Sequence, residues 1–129
     1  MLVLFATLSH VSRAEPSALL LHACTAGKAR LPAHCGTLRV LENRASRAGR
    51  TILLHFIEID AVHPAHRVIF LNPGGPGGDD LSAVPYITGG FFEKELLALH
   101  GRYDLVFIDN RGTGLSHPIN CDLYPVEHP

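Results

Sequence analysis

The chain has 129 residues, of which 47% are hydrophobic and 18% are charged, and its formal net charge at pH 7 is −1. These values are typical of one soluble globular domain. Lys and Arg number 11 against 12 Asp and Glu, without a basic block, which excludes the electrostatic surface of a nucleic-acid-binding protein. No stretch reaches the roughly 18 consecutive apolar residues of a membrane span.

The amino terminus predicts an export signal. Residues 2–8 form a short apolar stretch, and Ser12 and Ala14 place small side chains at the positions that a signal peptidase reads. No positive charge precedes the apolar stretch. We expect residues 1–14 to be a signal peptide and the protein to be periplasmic or extracellular, the alternative being an ordinary N-terminal segment.

Three cysteines bear on whether the protein is exported to an oxidising compartment. Cys24 and Cys35 lie in a stretch that we interpret as a loop, and in an exported protein the expected disulfides are Cys24 with Cys35 or Cys35 with Cys121. Two alternatives use the same residues. Cys24 could end a lipoprotein cleavage box, and Cys24, His34 and Cys35 could bind zinc, although adjacent His and Cys lack the usual ligand spacing. We expect no metal.

The next segments predict strands. Residues 36–43 and 51–60 are rich in apolar and β-branched types and form a hairpin around a turn at 45–49. Residues 67–72 and 104–109 are apolar on both faces instead. Such runs indicate parallel strands that helices cover on both sides.

One helix is predicted between the two apolar strands. Residues 90–100 place Phe92, Leu96 and Leu99 on one stripe, and Gly101 ends the helix. Strand, helix and strand in this order form a right-handed crossover. The predicted class is therefore α/β.

Two glycine-rich loops follow the two apolar strands, at 72–78 and at 110–114. Ligands bind at the carboxyl ends of parallel strands, so the loops are expected to lie side by side at a binding edge. Glycine permits positive φ, while Pro73 and Pro76 fix the backbone, and bare N–H groups suit an oxyanion or a phosphate. Neither loop has the Gly-Lys-Ser/Thr ending of a nucleotide-binding phosphate loop.

At this point the chain resembles a known family. Asn-Pro-Gly-Gly-Pro-Gly-Gly at 72–78, followed by Tyr-Asp-Leu-Val-Phe-Ile-Asp-Asn-Arg-Gly-Thr-Gly-Leu-Ser at 103–116, is similar to the proline iminopeptidase and tripeptidyl aminopeptidase group of α/β-hydrolases. Residues 35–44 resemble the first strand of exported members, and the resemblance covers about residues 35–122. It implies a serine hydrolase that releases residues or short peptides from peptide amino termini and needs no cofactor. A related esterase that acts on a small ester or amide is the alternative within the same family.

The resemblance also implies roles for single residues. Gly75 matches the backbone donor of an oxyanion hole, a contact worth about 3 kcal/mol of activation barrier. The expected supporting residues are Gly74, Pro76 and Gly77 in the loop, with Asp109 and Arg111 bracing that loop by hydrogen bonds. The chain departs from the family pattern at Leu41, Asp79 and Asn110. A carboxylate at position 79 would oppose the negative charge that an oxyanion hole stabilises.

The sequence contains no Gly-x-Ser-x-Gly motif for a nucleophile. The nearest serine, Ser116, has Pro118 in place of the second glycine and is predicted to be a turn residue. We therefore expect residues 15–34 to be an extension and residues 35–129 to be the first half of an α/β-hydrolase domain, truncated before the nucleophile and its Asp and His partners. That half would be inactive alone.

The resemblance further implies the sheet order 1-2-4-3 for the four predicted strands, which leaves Val68–Leu71 as an exposed apolar edge. Two other hypotheses remain open. One is a non-catalytic α/β module that binds a carboxylate or a peptide end through the glycine loops. The other is a nucleotide-binding α/β protein.

Overall fold

The computed structural model describes residues 19–46, 48–64, 66–72, 74–75, 77–90 and 93–120. The predicted signal peptide at 1–14, as well as Pro73, Pro76, Phe92 and Cys121, lies outside these residues. The elements, in chain order, are β1 (Leu19–Ala26), β2 (Leu31–Leu41), β3 (Thr51–Ile59), β4 (Val68–Leu71), α1 (Val84–Ile87), α2 (Glu93–His100) and β5 (Asp104–Ile108).

The five strands form one mixed sheet in the order β1-β2-β3-β5-β4. The pairs β1–β2, β2–β3 and β3–β5 are antiparallel, whereas the pair β5–β4 is parallel. Both helices lie in the chain between the two parallel strands. The arrangement is of the α/β type, as predicted, and β4 lies at one end of the sheet.

The interpretation of the segment around Cys24 and Cys35 as a loop is wrong. β1 and β2 form an antiparallel pair in which Ala26 lies opposite Leu31, and the connecting turn contains Gly27 at a φ of 67°. The strand β1 was not predicted because its sequence lacks the alternation of apolar and polar residues that indicates a half-buried strand. Most of its side chains are exposed, so no buried face imposes that alternation. A disulfide joins Cys24 to Cys35 across this pair, as in one of the two predicted pairings.

The main hydrophobic cluster lies on one face of the sheet. Ile59, Leu105 and Phe107 are fully buried there and pack with Val84 of α1 and Leu96 of α2. The expectation of helices on both faces is wrong for the described residues. β4 turns alternate side chains away from the core, so that its Val68 and Phe70 are 48% and 70% exposed. A short run of apolar residues therefore did not distinguish a strand covered on both faces from an edge strand.

The second helix is described from Glu93 to His100, and its buried face differs from the predicted one. Leu96 and His100 are buried, whereas Leu99, predicted to lie on the buried stripe, is 36% exposed. His100 takes this inner position because its Nε2 donates to the carbonyl oxygen of Asp60 at 2.7 Å. Gly101 follows the helix and donates its N–H to the carbonyl of Leu97. Within the described residues, neither helix has the length or the apolar character needed to cross a membrane.

Candidate functional site

The first glycine loop follows β4, and its described residues are exposed. Gly74, Gly75 and Gly77 have φ values of 86°, 88° and 79°, in the left-handed region that favours glycine. A Cβ atom built at any of the three would meet nothing within 4 Å. Glycine is therefore needed here for the backbone conformation, and the space above these peptide groups is open to a ligand.

Two contacts among the described residues of this loop shape it. The Oδ1 of Asn72 accepts the N–H of Gly74 at 3.0 Å, and the N–H of Gly78 donates to the carbonyl of Gly75 at 3.3 Å. The N–H of Gly75 donates to no acceptor within the described part of the chain. An exposed N–H held by a turn of this kind can donate to an incoming oxygen atom.

Asp109, at the end of β5, connects the first loop to the second. Its Oδ1 accepts the N–H groups of Asp80 at 2.9 Å and of Leu81 at 3.0 Å, and its Oδ2 accepts the N–H of Leu115 at 2.8 Å. The side chain is buried, with 1% of the residue exposed, and its own N–H donates to the carbonyl of His55. One carboxylate thus fixes the segment directly after the first glycine loop against the second loop.

Gly114 makes this close packing possible. A Cβ atom at position 114 would lie 2.1 Å from the Oδ2 of Asp109 and 2.6 Å from the Cβ of Asp79, and the φ of Gly114 is 48°. Real side chains do not tolerate contacts this short. The glycine of the second loop is therefore needed for close approach, in contrast to the glycines of the first.

Asp79 and Asp80 place two further carboxylates between the loops. The Oδ1 of Asp79 accepts the N–H of Ser82 at 2.7 Å, and the hydrogen bonds from the hydroxyl and the N–H of Ser82 lower the pKa of Asp79. Asp80 is only 3% exposed, and burial raises its pKa, with the charges of Asp109 and Asp79 adding to the effect. The site consequently carries negative charge on the chain segment that follows the first loop.

Arg111 lies elsewhere than expected. Its Nη1 donates to the carbonyl of Leu41 at 2.6 Å and to the carbonyl of Glu42 at 2.9 Å. These bonds fix the second loop to the end of β2, whereas the sequence predicted that Arg111 would brace the first glycine loop. The long side chain reaches β2 because only β3 separates β2 from β5 in the sheet.

Ser116 lies in a turn and is fully buried. Its Oγ accepts the N–H of His55 at 2.8 Å, its N–H donates to the carbonyl of Thr113, and its carbonyl accepts the N–H of Gly112. A hydroxyl in this position anchors the second loop to β3 and is out of reach of a substrate. The partner is 61 residues away in the chain, so local sequence patterns gave no signal for this contact.

In the described residues no three His, Cys, Asp or Glu side chains are grouped so that they could hold a metal ion. Cys24 and Cys35, considered above as zinc ligands, are joined to each other instead. No model of a known protein family matches the chain, and no curated protein matches it in sequence.

Proposed function

We propose that this chain supplies the oxyanion-binding loop of a serine hydrolase of the α/β-hydrolase type that releases residues or short peptides from peptide amino termini. The observation that carries this proposal is the exposed loop after β4, in which three glycines at 74, 75 and 77 adopt positive φ. Asp109 anchors the segment that follows this loop through two N–H groups. A loop fixed in this way can present main-chain donors without reorganising when charge develops.

The proposed role of Gly75 is chemical. During attack on an ester or amide, the carbonyl oxygen of the substrate becomes negatively charged, and a main-chain N–H aimed at that oxygen stabilises the transition state. Loss of such a donor costs about 3 kcal/mol of barrier. The open space at Gly75 would admit the substrate carbonyl.

The sheet topology supports the same proposal. β2, β3, β5 and β4 are neighbours in this order, which is the order that the family resemblance implies for its first four strands. β4 and β5 run parallel, so both glycine loops leave the same edge of the sheet. The attacking serine would come from outside these 129 residues, since they contain no Gly-x-Ser-x-Gly motif.

A second candidate is a non-catalytic binding module. The observation that favours it is the cluster of Asp79, Asp80 and Asp109 behind the first loop, since these carboxylates would oppose the oxyanion of a hydrolase transition state but not the positively charged amino end of a peptide. Such a module would hold a peptide end at the open glycine loop and would need no nucleophile.

The two candidates differ in the coding DNA beyond codon 129. A Gly-x-Ser-x-Gly motif there, in frame or after a frameshift, supports the hydrolase, whereas a natural stop without a related downstream frame supports the binding module. The purified chain tests the role of Ser116 separately. We expect neither cleavage of aminoacyl p-nitroanilides nor labelling by a fluorophosphonate probe, with Ser116→Ala as the matched control. Stoichiometric labelling that disappears in Ser116→Ala would contradict our assignment of this serine.

A further inference from the structure

β1 lies at one end of the sheet and is mostly exposed. Among the described strands, β2 is its only neighbour. Six of the eight residues of β1 are exposed, and only Ala26 is buried. Burial of side chains therefore contributes little to holding this strand in place, since the hydrophobic effect is proportional to the apolar area removed from water.

The other four strands are held together without β1. The fully buried side chains of Ile59, Leu105 and Phe107 belong to β3 and β5. β2 pairs with β3 over nine residues, and Arg111 fixes the end of β2 to the second glycine loop through the carbonyl of Leu41. Separation of β1 from β2 would therefore leave most of the core and four paired strands in place.

A disulfide and a packed turn hold β1 at its C-terminal end. The disulfide joins Cys24 to Cys35 of β2, with the two Cα atoms 5.8 Å apart. The turn that follows β1 packs against the end of α1, because a Cβ atom at Gly27 would lie 1.8 Å from the Oγ1 of Thr88. Both cysteines are only half-buried, so a thiolate in solution can reach the bond. The turn is a fixed pivot, and the disulfide is a covalent link that thermal fluctuations do not open.

We propose that this disulfide is a redox switch for β1. A dithiol gives two electrons and two protons to the bond, Cys24 and Cys35 become thiols, and the dithiol becomes a disulfide. β1 then separates from β2 by local unfolding, which requires less free energy than unfolding of the whole chain. The four remaining strands stay paired.

Release of β1 changes the edge of the sheet. β2 becomes the terminal strand, and its main-chain N–H and C=O groups on that side lose their partners. The five-stranded sheet is therefore complete only where the disulfide persists, in an oxidising compartment. The switch is independent of the proposed hydrolase function, because the first glycine loop follows β4, at the opposite end of the sheet.

The test is amide hydrogen exchange, followed by NMR, on the 129-residue chain that carries Cys121→Ser, before and after reduction with dithiothreitol. The substitution removes the third thiol, so that a single disulfide responds. Reduction should accelerate exchange at Leu105 and Phe107 of β5 by about 30- to 1,000-fold, the factor that corresponds to the usual contribution of a disulfide to global stability. At the amides of β1 the acceleration should be at least about tenfold larger still, because these amides also exchange through local opening.

A second variant, which combines Cys24→Ser, Cys35→Ser and Cys121→Ser, should show the fast exchange of β1 without reductant and no response to dithiothreitol. Protection of β1 in this variant equal to that in the oxidised chain would refute the switch. Equal acceleration of β1 and β5 on reduction would show that the disulfide acts on global stability alone, which also overturns the proposal. So would loss of the far-UV circular dichroism of the sheet on reduction, because the four remaining strands would then not persist.

Discussion

Asp109→Asn tests whether one carboxylate fixes the two glycine loops. Asp109 accepts three main-chain N–H groups, two at Oδ1 and one at Oδ2. An asparagine can direct its single oxygen toward Asp80 and Leu81, but its amide group then faces the N–H of Leu115, so that two donors meet. One bond is lost, and the partly buried N–H of Leu115 is left facing another donor.

A hydrogen bond to a charged group contributes about 1.5 to 3 kcal/mol. We therefore expect Asp109→Asn to lower the free energy of unfolding by about 2 kcal/mol. Asp109→Ala removes all three bonds and should lower it by about 4.5 kcal/mol or more, which approaches the whole stability of many small domains. Asp109→Asn is for this reason the more informative variant.

The assay is urea unfolding followed by circular dichroism, combined with amide hydrogen exchange. Exchange should accelerate at Asp80, Leu81 and Leu115, and most at Leu115 in Asp109→Asn. The control is Glu95→Gln, an exposed position on α2, which should stay within about 0.5 kcal/mol of the unsubstituted chain. A loss below about 0.5 kcal/mol in Asp109→Asn, or unchanged exchange at Leu115, would refute the role of this carboxylate.

Three further outcomes are expected. Gly114→Ala should destabilise the chain by at least about 1 kcal/mol more than Gly49→Ala, because a methyl group at 114 collides with its neighbours whereas one at 49 meets no atom within 4 Å. Urea unfolding compares the two variants. Equal losses of stability would contradict the packing argument. Burial raises the pKa of Asp80, so Asp80→Asn should increase the free energy of unfolding at pH 7. This gain in stability should shrink as the pH falls toward 3.8, the ordinary pKa of an aspartate. A gain that did not change with pH in urea unfolding would count against the role of burial. Replacing Cys24 and Cys35 by serine should cost about 2 to 4 kcal/mol, equal to the effect of reducing the unsubstituted chain, and non-reducing peptide mapping should find these two cysteines joined.

The sequence predicted features that depend on local signals. The apolar runs of β4 and β5, the intervening helical segment and the two glycine loops all have composition signatures within a few residues, and they led to the α/β class. The turn containing Gly27 was missed because the strands that flank it show no regular alternation. The disulfide was narrowed to two pairings, but only the strand register brings Cys24 next to Cys35.

The partners of Arg111 show what local patterns cannot give. Its motif indicated a bracing role, but the acceptors are the carbonyls of Leu41 and Glu42, about 70 residues earlier in the chain. A sequence does not show which main-chain carbonyl a side chain will contact, because every residue carries one. Only the sheet order, with β2 two strands from β5, determines which carbonyls a guanidinium at position 111 can reach.

The second loop is held from two sides, whereas the first loop is held mainly at its ends. Asp109 fastens the second loop to the segment at 80–81, and Arg111, two residues later, fastens it to the end of β2. The first loop is exposed, and within the described residues its side-chain contacts are those of Asn72 and of Asp109 beyond it. Substitutions that remove these anchoring contacts of the second loop should therefore lower the free energy of unfolding more than the loss of the Asn72 contact in the first. Under the proposed function, this division would combine a rigid support with an open loop that faces the ligand.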